Sequence, residues 1–178
     1  MLGRVCRPMC RLLAVVAVAL QLGACINSDY DLSSSLTPVF PVKPGAYAKD
    51  KDHVVVIRKI GDAYQVYHRR TKDTLYARLY KIPEYSDYLL QYYDRKKDPI
   101  VFLFLKITDK GFDIYDIEDL ATVVPEHLTK LLKPITENDK RDNNITIANG
   151  RRDTLYLVRE IARANLKMKV AESYERQP

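Results

Sequence analysis

From Gly45 onward, short apolar segments alternate with turn residues about every ten positions, a spacing typical of consecutive β-strands. Gly61-Asp62 is typical of a two-residue hairpin turn. Asp109-Lys110-Gly111 predicts a three-residue turn with its glycine in the left-handed conformation. Such short turns indicate an antiparallel meander, and the pattern predicts strands near residues 45–49, 53–60, 63–69, 74–82, 87–94, 99–107 and 111–117.

The strands differ in how many of their faces are apolar. Leu75, Ala77 and Leu79 alternate with polar-tipped or charged residues, which is the period-two pattern of a strand with one buried face. Residues 54–57 and 101–105 are apolar at every position. We therefore expect those two strands to be covered on both faces, or to lie centrally where the sheet curls.

The last third of the chain changes to helical spacing. Pro125 suits the first turn of a helix that reaches Pro134, and a second helix is predicted over residues 155–166 with Asn149 or Asp153 as its N-cap. We expect a polar loop at 137–144, a short strand at 145–147 and a frayed end at 172–178. The predicted fold class is α+β: an antiparallel β-meander of about seven strands, curved or partly closed, with two C-terminal helices packed on it.

The first residues of the chain follow a different pattern. Arg4, Arg7 and Arg11 make a basic start, residues 12–20 are wholly apolar, and residues 21–24 are neutral. This order is typical of a secretory signal. The apolar run is too short for a membrane-spanning helix, which needs ~20 residues.

Leu22-Gly23-Ala24-Cys25 ends this segment and resembles the lipobox of bacterial lipoproteins. The resemblance implies that Cys25 receives a diacylglycerol thioether, that cleavage occurs before it, and that its new amine is acylated. Several acyl chains anchor a protein stably, at ~0.8 kcal/mol per buried methylene. Ile26 follows the cysteine, which by the same resemblance implies the periplasmic face of the outer membrane. The alternative is an ordinary signal peptide that contains a cysteine.

Three parts of the chain are expected. Residues 1–24 are the signal, 25–44 the lipidated N-terminus with a flexible tether, and 45–178 a single globular domain. The tether prediction depends on the serines and prolines of residues 26–44. The alternative is an ordered arm in which Val39, Phe40 and Val42 pack on the domain.

The composition of the chain excludes some kinds of site and partner. Processing would remove Cys6 and Cys10 and acylate Cys25, so we expect no disulfide and no cysteine-based catalysis or metal site in the mature domain. Loss of the three signal arginines lowers the formal charge from +6 to +3. A charge this small argues against nucleic acid as a partner.

No catalytic motif is present, and we predict no catalytic residue, metal or cofactor. His53, His68 and His127 lack metal-ligand spacing. The acidic run from Asp113 to Asp119 lacks the pattern of a calcium loop, so we interpret it as a solvated turn. The chain has thirteen tyrosines and no tryptophan. They predict half-buried sheet surface or, alternatively, an aromatic-lined groove for a glycan, peptide or lipid.

Charge is distributed unevenly over the predicted turns. In a meander alternate turns lie at the same end, which gives one end a net +3 and the other a net −3. The basic end is a hypothetical contact surface for peptidoglycan or an acidic envelope protein, or else a set of turns whose charges are neutralised locally. Its candidate contacts are Arg69, Arg70, Lys72, Arg95, Lys96 and Lys97.

The pattern predicts a lipid-anchored envelope protein that acts as a non-enzymatic binding or scaffolding module. One alternative is a lipocalin-like carrier of a hydrophobic ligand, and another is an envelope hydrolase. A carrier requires an apolar cavity of several hundred cubic ångströms. A scaffold would have a filled core, and a hydrolase would have converging polar groups in a cleft.

Overall fold

The computed structural model describes residues 26–93, 100–141, 144–148, 150–164 and 166–178. These residues contain one 3-10 turn, Leu32–Ser34, and four helices: α1 (Leu120–Val123), α2 (Glu126–Thr129), α3 (Glu137–Arg141) and α4 (Arg151–Arg163). They also contain ten strands: β1 (Ile26–Ser28), β2 (Gly45–Ala48), β3 (Val54–Ile60), β4 (Ala63–His68), β5 (Thr74–Tyr80), β6 (Tyr88–Tyr93), β7 (Ile100–Ile107), β8 (Gly111–Ile117), β9 (Ile145–Thr146) and β10 (Met168–Arg176).

Eight of these strands close a barrel. Strands β2 to β8 form an antiparallel meander, and β10 pairs with β8 on one side and β2 on the other. The barrel order is therefore β2-β3-β4-β5-β6-β7-β8-β10. The predicted meander is confirmed strand by strand in β2–β8, but the fold is a closed barrel with ten strands in the sheet rather than a partly closed sheet of seven.

Strand β10 corrects the prediction of a frayed C-terminal end. It pairs with the whole of β8, from Met168 opposite Ile117 to Glu175 opposite Gly111. A bulge between Val170 and Glu172 interrupts the register. Because a bulge places two residues opposite one, it breaks the period-two pattern that makes a strand visible in a sequence.

The two turn glycines fulfil different requirements. Gly61 has a φ of +58° in the two-residue turn between β3 and β4, as the hairpin signal predicts. Gly111 is not in the left-handed conformation, so that prediction is wrong. A Cβ at Gly111 would lie 1.9 Å from the carbonyl oxygen of Tyr174. Glycine is therefore required there because the backbones of β8 and β10 approach closely.

The barrel wall separates two apolar cores. The inner core fills part of the barrel, and the outer core lies between the barrel and the helices. Strand β7 contributes to both, because Phe102 and Phe104 belong to the outer core while Leu103 and Leu105 face inward. The prediction that this strand is covered on both faces is confirmed.

The helical layer differs from the two predicted helices. Only α2, one turn long, occupies the region predicted as a helix from Pro125 to Pro134, and α3 lies in the predicted polar loop. Helix α4 confirms the second helix and buries Leu157 and Ile161. Its N-cap position is Gly150, with Asp153 in the first turn, and Asn149 lies outside the described residues.

Residues 26–44 pack on the barrel instead of forming a flexible tether. Strand β1 pairs antiparallel with β7 and parallel with β9, and Ile26 is buried in it. The Leu32 side chain is buried, and its amide donates to Gln91 Oε1 at 3.1 Å. Val39 bridges to the end of β5. These apolar side chains and backbone bonds favour the alternative of an ordered arm.

Candidate functional site

The interior of the barrel contains a cavity of about 440 Å³. Inward-facing side chains of β3 to β8 and β10 line it. Most of the lining is aliphatic or aromatic and includes Ile57, Val66, Leu79, Leu90, Leu103 and Leu105. An eight-stranded barrel has an interior that side chains can fill or that can hold one small ligand. In this barrel the side chains leave space.

A small residue helps to leave this space. Ala77 lies opposite Tyr64 on β4 and Tyr92 on β6, and all three line the cavity. The alternation of β5 directs Ala77 inward together with Leu75 and Leu79, as its period-two pattern predicts. The middle of the wall therefore has a methyl group where a larger side chain would occupy the cavity.

The N-terminal arm closes one end of the barrel. Tyr64 Oη donates to the carbonyl oxygen of Val42 at 2.9 Å and accepts the Val42 amide at 3.0 Å. Phe40 packs edge-on against the Tyr64 ring, with centroids 5.3 Å apart, and Lys59 Nζ lies 3.9 Å from the centre of the Phe40 ring. Burial raises the pKa of Tyr64 to about 12, so its hydroxyl stays protonated and can donate.

The opposite end of the cavity reaches solvent. Antiparallel pairing of β2, β3, β4 and β5 brings turns 49–53 and 69–73 to the same end. Asp52 and Arg70, from these two turns, line the cavity and are exposed. We call this end the mouth, and its lining includes Asp52, His53, His68, Arg70, Thr71 and Glu172.

Two of the charged or titratable lining side chains of the mouth, Glu172 and His53, have a charged partner. Glu172 Oε1 accepts from Lys49 Nζ at 2.9 Å, and its Oε2 accepts from Tyr174 Oη at 3.1 Å. His53 Nδ1 lies 2.7 Å from Asp50 Oδ2. Among the described residues, Asp52 and Arg70 are the charged lining side chains without an ion pair.

His68 is the innermost basic group of the mouth. It ends β4 opposite Val55, a buried residue of the inner core. Burial lowers the pKa of His68, against the opposing effect of Glu172 and Asp73. The imidazole is therefore neutral near pH 7 and offers one N–H donor and one nitrogen acceptor.

The predicted contacts of the basic end are only partly described. Arg69, Arg70 and Lys72 are exposed in turn 69–73, and Arg70 lines the cavity. Residues 95–97, like Cys25, lie outside the described residues. Sequence reasoning did not identify His68 as a cavity residue. The signal that could have found it is its alternation with Tyr64 and Val66 on the inner face of β4.

Two carboxylates of the predicted acidic end, Asp62 and Glu84, are paired with arginines. Glu84 Oε1 accepts from Arg159 at 2.5 Å and from Arg163 at 2.9 Å. Asp62 Oδ2 accepts from Arg78 at 3.0 Å. These arginines come from α4 and the outer face of β5. The turn sequences alone therefore overstate the difference in charge between the two ends of the barrel.

The other candidate clusters are used within the fold. Glu118 pairs with Lys167 at 2.5 Å, and Asp113 accepts from the Ser173 hydroxyl at 2.6 Å. Nowhere in the described ranges do three or more histidine, cysteine, aspartate or glutamate side chains form a group that could hold a metal ion. The tyrosines divide between faces: Tyr92 lines the cavity, whereas Tyr93 lies outside the barrel stacked on Tyr76 at 6.0 Å.

Comparison with protein-family models, curated proteins and solved structures returns no match. In the part of the chain that the structure describes, the helices are too short or too polar to cross a membrane. A fold alone does not define a function. The assignment therefore depends on the cavity and its mouth.

Proposed function

We propose that this protein is a non-enzymatic carrier that binds an apolar ligand inside its barrel. The observation that supports this most directly is the cavity of about 440 Å³ with one closed end and one solvent-facing end. Ligand sites in proteins are concave, mostly apolar and carry a few placed polar groups. The interior of this barrel has each of these properties.

The volume limits the size of the ligand. At ~30 Å³ per non-hydrogen atom, the share of a water molecule in the liquid, the cavity holds roughly 15 non-hydrogen atoms. A single alkyl chain of about ten carbons fits this volume. A two-chain phospholipid does not. The proposed ligand is therefore a single-chain molecule.

Burial of the chain favours binding. Each buried methylene contributes about 0.8 kcal/mol, so nine methylenes contribute about 7 kcal/mol before the cost of association is subtracted. Polar contacts at the mouth would add to this. Without any cost of association, about 7 kcal/mol corresponds to a dissociation constant of about 10 μM, and that cost weakens binding, so we expect dissociation constants of about 0.1 mM or weaker for chains of this length.

The lipobox resemblance supports an envelope location for the carrier. If Cys25 carries the lipid anchor, no flexible tether separates it from the barrel, because β1 begins at the next residue. The barrel would then lie close to the membrane surface. A membrane is a source and an acceptor of single-chain apolar molecules, which suits a carrier.

Tryptophan substitution at two neighbouring positions tests the proposed function. The chain has no tryptophan. Tyr92→Trp places one in the cavity wall, and Tyr93→Trp makes the same change one residue further on, on the outer face of β6. Both variants are titrated with decanol, a neutral single-chain probe, while tryptophan emission is recorded.

We expect decanol to move the emission of Tyr92→Trp to shorter wavelength in a saturable way. The emission of Tyr93→Trp should stay constant at the same decanol concentrations. Equal responses of the two variants, or no response of either, would contradict binding inside the barrel.

A further inference from the structure

We propose that the ligand is a single-chain carboxylate whose head group binds at the mouth, between the Arg70 guanidinium and the His68 imidazole. This inference rests on the proposed function, because it names the chemical class of ligand for the same cavity. Its alkyl chain occupies the apolar interior, and its polar end remains close to solvent.

Among the described residues, Arg70 is the arginine or lysine that lines the cavity, and it has no ion pair. Lys49 is bound to Glu172 at 2.9 Å, and His53 is bound to Asp50 at 2.7 Å. A guanidinium binds a carboxylate through two parallel N–H donors, which gives both strength and orientation.

The turn that carries Arg70 is held in one conformation. The His68 amide donates to the Asp73 carbonyl oxygen at 2.9 Å, and the Lys72 amide donates to the His68 carbonyl oxygen at 2.9 Å. The Arg69 amide donates to β3 at 3.0 Å. Lys72 has a φ of +64°, which completes the tight return of the chain. These backbone bonds therefore place Arg70 in an ordered turn, two residues beyond His68.

His68 supplies a second donor deeper in the mouth. Its side chain lines the cavity, and its ring nitrogens have no hydrogen-bond partner within the described part of the chain. A neutral imidazole donates one N–H, which matches one oxygen of a carboxylate. Arg70 can then bind the other oxygen, so that the head group has two partners at different depths.

Acidic side chains at the mouth limit how strongly it prefers a carboxylate head group. Both carboxylate oxygens of Glu172 already accept hydrogen bonds, from Lys49 and Tyr174. Asp52 is exposed and has no ion pair among the described residues, so it weakens carboxylate binding through like charge. The effect is screened over ~8 Å at physiological ionic strength. We therefore expect Asp52→Asn to tighten carboxylate binding without affecting a neutral ligand.

The test compares three head groups on one chain length in the Tyr92→Trp background. Decanoate, decanol and decylammonium are titrated at about pH 8, where the acid is ionised and the amine protonated. Arg70→Gln removes the proposed head-group cation. Arg69→Gln is the matched control, because it removes a neighbouring arginine that does not line the cavity.

We expect decanoate to bind about tenfold more tightly than decanol. Arg70→Gln should abolish that difference and leave the decanol affinity unchanged, whereas Arg69→Gln should preserve it. His68→Phe, which removes the donor and keeps a ring, should weaken decanoate more than decanol.

Two results overturn the inference while the proposed function stands. One is equal binding of decanoate and decanol that Arg70→Gln does not alter, and the other is tighter binding of decylammonium than of decanoate. If none of the three probes binds, the proposed function fails as well, so the two failures are distinguishable.

Discussion

Replacing a small residue of the cavity wall by a larger one tests whether the barrel interior is empty or packed. Ala77 is 6% exposed and faces the interior between Tyr64 and Tyr92. Ala77→Leu adds three carbon atoms, which take up about 90 Å³ at ~30 Å³ each. That is about a fifth of the 440 Å³ available.

The sign of the stability change depends on whether that space is free. In a filled core, extra methylenes cost ~1–3 kcal/mol through strain. In a free cavity, three buried carbons at about 0.8 kcal/mol each stabilise the fold by up to ~2 kcal/mol. The same atoms displace an equal part of a ligand that fills the cavity. Tetradecanol, with 14 carbons and one oxygen, matches the roughly 15 atoms that the cavity holds, so its binding should weaken by about 2 kcal/mol, which is roughly 30-fold.

Denaturant unfolding and tetradecanol titration measure both effects. Ala162→Leu is the matched control, because Ala162 lies on α4, is 9% exposed and belongs to the packed outer core. We expect Ala77→Leu to raise the free energy of unfolding and Ala162→Leu to lower it. If both lower it alike and tetradecanol affinity does not change in Ala77→Leu, the barrel interior is filled and the reasoning is refuted.

Three further predictions concern the frame around the cavity. Gly111→Ala should lower the free energy of unfolding by at least ~2 kcal/mol, because its Cβ would clash with the backbone of β10; chemical denaturation measures this. Arg159 hydrogen-bonds Glu84 and lowers its pKa. The stability this contributes is present above the usual glutamate pKa and disappears as pH falls through the lowered value, so melting curves of wild type and Glu84→Gln should converge in acid. Tyr64→Phe removes two hydrogen bonds to Val42, and hydrogen exchange at the Val42 amide should accelerate about tenfold.

Much of the barrel could be predicted because each strand and turn is specified by residues that are close together in the sequence. Strands β2 to β8 are separated by short turns, and each has its own alternation of apolar positions. The β3–β4 turn follows the Gly61 signal. Neighbouring strands joined in this way pair with each other, so the meander needs no knowledge of distant residues.

The closure of the barrel could not be predicted in the same way. Strand β10 is separated from β8 by the whole helical layer, and its bulge after Val170 interrupts the alternation. Tyr174 then stacks on Phe112 at 5.1 Å inside the barrel. These contacts join segments far apart in the chain, and tertiary pairing outweighs the polar composition of the strand.

The ordered arm and the cavity could not be predicted for the same reason: both depend on residues that are far apart in the chain. Serines and prolines made residues 26–44 resemble a linker, but Leu32 and Val42 are buried by side chains from distant parts of the chain. Whether inward side chains fill a barrel depends on the summed volume of eight strands, and no local pattern contains that sum. The apolar positions of the site were therefore predictable, whereas the space between them was not.

Native mass spectrometry of the protein isolated from the cells that produce it tests the central proposal most directly. We predict a non-covalent adduct of one single-chain molecule with roughly 15 non-hydrogen atoms, released on gentle activation and depleted in Ala77→Leu. Covalently attached lipid would stay on the chain under the same activation. A mass that corresponds only to ligand-free protein, or an adduct of equal occupancy in Ala77→Leu, would contradict the carrier function.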